Sequence, residues 1–241
     1  MFRKWLEDNF KYRRKWLFIF GRRNPSVLEV SGRWNISNQQ YAALLACIDY
    51  LEANIGVYGL FVSGGSMEHV KLIFGKIKSG CPHLLQYLRS AHVPRECAIA
   101  FHQFLTVYRV QVLPRRCTNV VQGDVAGVPK RLIALDVLNL LHEEFDDTRL
   151  HFATRYLQLM RRFSLYGFLR PTEIRAIIAP YLALPKIFPE PDVRHTFAAK
   201  SMVLLELFLL ANLLNDPQGL AEELQRACAE FRATPAGKQQ P

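Results

Sequence analysis

The stretch from Ser37 to Ser66, SNQQYAALLACIDYLEANIGVYGLFVSGGS, carries the signals from which the rest of the chain is read. Ser37 with Gln40 three residues later is a capping box, in which a serine hydroxyl and a glutamine side chain satisfy each other's exposed backbone N–H. Leu44, Ile48, Leu51 and Ile55 then recur at i, i+4, i+7 and i+11. That spacing lines one face of a helix, and Gly56 is a plausible stop. A glycine-rich loop follows, Tyr58-Gly59-Leu60-Phe61-Val62-Ser63-Gly64-Gly65. Ser66 can cap a second helix, Met67 to Ile77, with Glu68 in its first turn.

Outward from this core, helical periods dominate. Ser79 to Pro82 breaks the second helix, and the region on to His92 is ambiguous. Pro94 can open a helix whose apolar face is Phe101, Phe104, Leu105 and Tyr108, and Pro114 ends that unit. Residues 115–129 read as a loop. Leu132, Leu135, Leu138 and Leu141 mark another helix, and Phe152, Tyr156, Leu159 and Phe163 a further one over about 148–164. A short helix starts at Pro171, a proline-rich loop follows, and a long apolar helix is expected from about Arg194 to Leu214. Val27 to Ser31 reads as extended. The fold class expected is all-α, with a basic arm over 1–24, one helical domain over 25–215 and a polar tail over 216–241 that includes Ala-rich helical material.

Composition narrows the function classes. The chain has 241 residues, 31 Lys and Arg against 21 Asp and Glu, and a net charge of +10. Sixteen Phe, nine Tyr and three Trp exclude a disordered chain. The apolar run Met202–Leu214 is interrupted by Glu206 and Asn212 and is short of the roughly 20 residues of a membrane span. The run Trp16–Phe20 lacks a following small-residue cleavage site, so no signal peptide is expected. Five scattered Cys without a C-x-x-C pair suggest neither a disulfide framework nor a zinc site, which suits a reducing, cytoplasmic setting. No phosphate-binding, hydrolase or metalloprotease motif occurs, and no metal or cofactor is expected.

Residues 1–23 hold eight bases and two acids, and so six of the ten net charges. They also hold Phe2, Trp5, Phe10, Trp16 and Phe18 among the bases. This mixture, with Lys11, Arg13, Arg14 and Lys15 at its centre, suits an anionic membrane surface or an acidic partner. It equally suits a helix that packs on the domain and solvates its other face. Nucleic acid is disfavoured, because the excess lies at one end without a zinc-finger or RNA-binding motif.

Three motifs in order resemble the Rho GTPase-activating (RhoGAP) domain family over roughly residues 27–214. The first is Tyr58-Gly59-Leu60-Phe61-Val62-Ser63-Gly64, where the family has Gly-[Ile/Leu]-[Phe/Tyr]-Arg-x-Ser-Gly. The second runs from Phe101-His102-Gln103-Phe104-Leu105-Thr106 to Leu113-Pro114, and the third from Leu169-Arg170-Pro171-Thr172-Glu173-Ile174 to Ala179-Pro180. The resemblance implies a single helical domain that binds a Rho-family small GTPase and speeds its GTP hydrolysis, without being a hydrolase itself. In the family an inserted arginine stabilises the charge of phosphoryl transfer, worth about 10³–10⁵ in rate.

That arginine is missing. Either Val62 stands in its place, or the position is deleted and Val62 matches the next one. No Arg lies between Arg33 and Arg89, and the nearest bases, His69 and Lys71, belong to the following helix. His102 stands where the family has a lysine, Thr106 where it has a structural arginine, and Glu173 where it has an asparagine. With Gly59, Phe61, Ser63 and Arg109, these positions make up the GTPase-facing candidates. The residues alone also allow plainer roles. Phe61 reads as a core anchor, His102 as a helix-surface histidine, and Glu173 as a first-turn carboxylate stabilising its helix.

Three readings follow from the sequence. The first is a regulator that binds the GTPase without activating it efficiently. The second is an activator of reduced efficiency. The third is an adaptor at the membrane surface, cytoplasmic and peripheral to the plasma membrane, that uses the domain as a scaffold.

Overall fold

In the computed structural model the residues described are 36–61, 65–108, 110–114, 116–117, 127–165 and 202–234, and among them there is no strand. Helix α1, Asn38–Ala53, starts as its sequence dictates. Gln40 N–H donates to Ser37 Oγ at 3.2 Å, and Ser37 N–H donates to Gln40 Oε1 at 3.1 Å. It stops two residues before Gly56, at Asn54, whose N–H donates to the Leu51 carbonyl and whose side-chain amide donates to the Tyr50 carbonyl.

Helix α2, Met67–Ser79, turns back along α1. Gln40 Nε2 donates to the Lys78 carbonyl at 2.8 Å, so the start of α1 meets the end of α2. Gly80 ends α2 at φ +65°, and a Cβ there would run into Gln39. Only glycine accepts both conditions cheaply. Ser66 occupies the cap position of α2 as expected, but its hydroxyl makes no cap hydrogen bond. The ambiguous region contains α3, Leu84–Ala91, closed by His92 in the left-handed conformation at φ +49°. Helix α4, Pro94–Val107, then runs beside α2 in the same direction. Glu96 meets Ser66 at one end, and Phe104 and Tyr108 meet Phe74 at the other, with ring centroids 5.8 and 6.2 Å apart.

Helix α5, Lys130–Glu144, is buried on more than the expected leucine stripe, because Ile133, Ala134, Val137 and Leu140 are covered as well. Helix α6, Asp147–Leu165, lies on α1. Arg155 donates to Asp49 at 2.7 Å and to Glu52 at 3.2 Å, and Tyr41 is hydrogen-bonded to His151. The core between these helices is built on Leu44, Ile48, Phe101, Phe104, Phe152 and Tyr156, each less than 2 % exposed.

The C-terminal part differs from the sequence expectation in two ways. Residues 202–209 are helical, but Ala211–Asn215 tightens into a 3₁₀ turn, η1. Asp216 precedes Pro217, and a residue before proline is pushed out of the α region. Asp216 accordingly lies outside the α region, at φ −133° and ψ 79°, and the preceding turn is 3₁₀. The helical material expected in the tail over 216–241 is helix α7, Pro217–Ala233, and it is packed on the domain rather than trailing from it. Helix α7 packs on α5 and η1, burying Leu220 and Phe231, with Arg131 of α5 paired to Glu223. The helical domain therefore extends past residue 215. The described residues all belong to a unit that begins at Trp34. The arm, the Val27–Ser31 stretch and the third motif lie outside the described residues. No described helix is long and apolar enough to cross a membrane.

Candidate functional site

The segment between α1 and α2 is shaped by its two ends. Gly59 adopts φ +68°, which lets the chain reverse after Tyr58 at no steric cost. Leu60 and Phe61 then turn inward and are 0 % and 6 % exposed. Phe61 is the core anchor its position suggests. It stacks on His102 of α4, with centroids 5.2 Å apart and planes 22° apart, and meets the edge of Phe163 of α6 at 4.9 Å.

His102 is half-buried rather than free on its helix surface. Its ring lies against Phe61, Phe101 and Tyr156, and its Nε2 is hydrogen-bonded to the Tyr156 hydroxyl at 3.1 Å. Burial among these rings holds its pKa down to about 4, so the imidazole is neutral at pH 7. The same burial pushes the Tyr156 phenol up. Thr106, one turn on, donates its hydroxyl to the His102 carbonyl at 2.9 Å. Gly59, Phe61, His102 and Thr106 are thus placed around the base of one loop and the helix beneath it. Val62, Ser63, Arg109 and Glu173, and Lys11, Arg13, Arg14 and Lys15 of the arm, lie outside the described residues. His69 and Lys71 sit on α2.

Two residues absent from the sequence-derived set hold this loop. Arg95 donates from Nε at 3.1 Å and from Nη2 at 2.8 Å to the Tyr58 carbonyl. Glu96 Oε1 accepts the Ser66 N–H at 3.0 Å, and its carboxylate fills the space a Cβ at Gly65 would need. One signal was present in the sequence. An arginine directly after the proline that opens a helix sits against the positive end of the helix dipole, an unfavourable place without a partner. The large apolar side chains at the two ends, Tyr58 and Met67, are each 54 % exposed.

Chemically, the described part of the site offers shape and apolar contact more than reactive groups. Its histidine is neutral and its arginine is engaged with a backbone carbonyl. Among the described residues no three His, Cys, Asp or Glu side chains are grouped as metal ligands. No protein-family model matches the chain, and neither a curated protein nor a solved structure is significantly similar to it.

Proposed function

We propose that this chain is a RhoGAP-like regulator that docks a Rho-family small GTPase through the α1–α2 loop and does not efficiently accelerate GTP hydrolysis. One observation carries the reading. The ends of the loop are held in a defined shape by Gly59, Phe61, Arg95 and Glu96, while between them, where the family places its arginine, the chain has Val62 and no arginine. A valine cannot stabilise charge on phosphate oxygens, whereas a delocalised guanidinium can. Exposed Tyr58 and Met67 add the apolar anchors on which protein contacts depend. The basic aromatic arm over 1–24 supports a location at an anionic membrane surface.

Docking is tested by titrating Rho-, Rac- and Cdc42-type GTPases, each loaded with a non-hydrolysable GTP analogue or with GDP, against the full chain. The proposal expects at least one GTPase to bind more tightly in the GTP-like state. Equal or absent binding across the panel would remove GTPases as partners.

A further inference from the structure

We infer that Arg95 and Glu96 are positioning residues, a two-point brace by which α4 holds the α1–α2 loop at Tyr58 and at Ser66 for its partner to read. This rests on the docking role proposed above.

Adjacent residues on a helix point about 100° apart. Arg95 and Glu96 therefore diverge from the first turn of α4 and reach opposite ends of the loop. Arg95 takes the Tyr58 carbonyl with two donors, and Glu96 takes the Ser66 N–H. Seven residues of chain lie between the two points, and a single helical turn holds both. Neither side chain is occupied with the ordinary business of a helix start. Glu96 is the third residue of α4, where a glutamate commonly closes a capping box. Here the cap residue is Val93, which has no side-chain acceptor, and the Glu96 carboxylate goes to Ser66 instead. Ser66 is itself the cap of α2, whose own hydroxyl makes no cap bond.

One carboxylate thus stands at the N-termini of two helices that run in parallel, where each dipole favours negative charge. Arg95, disfavoured by the dipole of its own helix, is held by a carbonyl on the far side of the loop. Gly65 completes the fit, because any side chain there would displace the Glu96 carboxylate. Both contacts are to backbone, so they hold the chain at Tyr58 and at Ser66 independently of the side chains there.

The test uses the full chain and four variants, Arg95→Ala, Arg95→Lys, Glu96→Ala and Glu96→Gln. Two quantities are read: amide exchange at Gly59–Phe61 and Ser66, and affinity for the tightest-binding GTP-loaded GTPase of the panel. Losing a charge-assisted hydrogen bond should speed local exchange about tenfold or more. Glu96→Ala is expected to do so at Ser66 and to weaken binding about tenfold. Glu96→Gln, which keeps an accepting oxygen but loses the charge that both dipoles favour, should fall between the natural chain and Glu96→Ala. Arg95→Ala should act at Gly59–Phe61, and Arg95→Lys should not fully rescue it, since an ammonium lacks the planar fork.

Unchanged exchange in both alanine variants would overturn the brace. Faster exchange with unchanged affinity would overturn its role in recognition. If the natural chain binds no GTPase, the docking proposal fails and the recognition half fails with it, while exchange still decides the brace.

Discussion

Phe61 of the α1–α2 loop lies over His102 of α4, ring on ring, with centroids 5.2 Å apart. The contact ties the loop to the histidine's charge state, because an imidazolium cannot be accommodated cheaply among Phe61, Phe101 and Tyr156.

A pH dependence follows. Folding lowers the His102 pKa from 6.5 to about 4. The unfolded chain then binds the extra proton between these values, so stability is complete above about pH 6.5 and falls as pH drops toward 4. The loss is on the order of 3 kcal/mol over that window. His142, lowered mainly by burial, adds in the same direction. Urea unfolding from pH 7 to 4 should therefore show a steeper stability loss in the natural chain than in His102→Gln. Parallel slopes would show that His102 does not titrate in this way.

Phe61 should matter to stability as well as to the loop. Phe61→Ala removes a ring that is 6 % exposed and opens a space beside Phe163, at a cost of about 3–5 kcal/mol. Phe61→Leu, closer in volume, should cost less, about 1.5 kcal/mol. Water admitted by the alanine variant should also raise the His102 pKa toward its ordinary value, readable by NMR titration. A loss below about 1 kcal/mol for Phe61→Ala would mean that the loop anchors elsewhere.

The C-terminal helix should behave as part of the domain. Leu220→Ala is expected to cost about 2–5 kcal/mol. Asp216→Ala, which removes the acceptor for the Gly219 N–H at 2.9 Å, should cost about 1 kcal/mol. A chain ending at Asn215 should melt well below the full chain by circular dichroism. An unchanged melting temperature would contradict the packing of α7 on α5.

Much of the helical frame was legible in the sequence. The capping box at Ser37, the Leu44–Leu51 part of the first stripe and the Phe101–Leu105 face are local signals, and the structure places helices on all three, with Ile55 past the end of α1. Long-range relations were not legible. What covers His102 is a tyrosine 54 residues away and a loop phenylalanine, and helical spacing cannot report either. Helix α7 carries a stripe of Leu220, Leu224, Ala227 and Phe231 at i, i+4, i+7 and i+11, but it is thin among polar residues, and its packing on α5 is a long-range relation that the spacing does not report. The brace was hidden because Arg95 and Glu96 act through backbone partners, which carry no sequence identity.

The proposed docking loop without its catalytic charge stands or falls on single-turnover GTP hydrolysis by Rho-, Rac- and Cdc42-type GTPases at saturating protein, comparing the natural chain with Val62→Arg. The natural chain should give no acceleration and Val62→Arg a clear gain, up to the roughly 10³-fold at the low end of an arginine's contribution. Acceleration by the natural chain, or none by Val62→Arg on a GTPase that it demonstrably binds, would contradict the proposal.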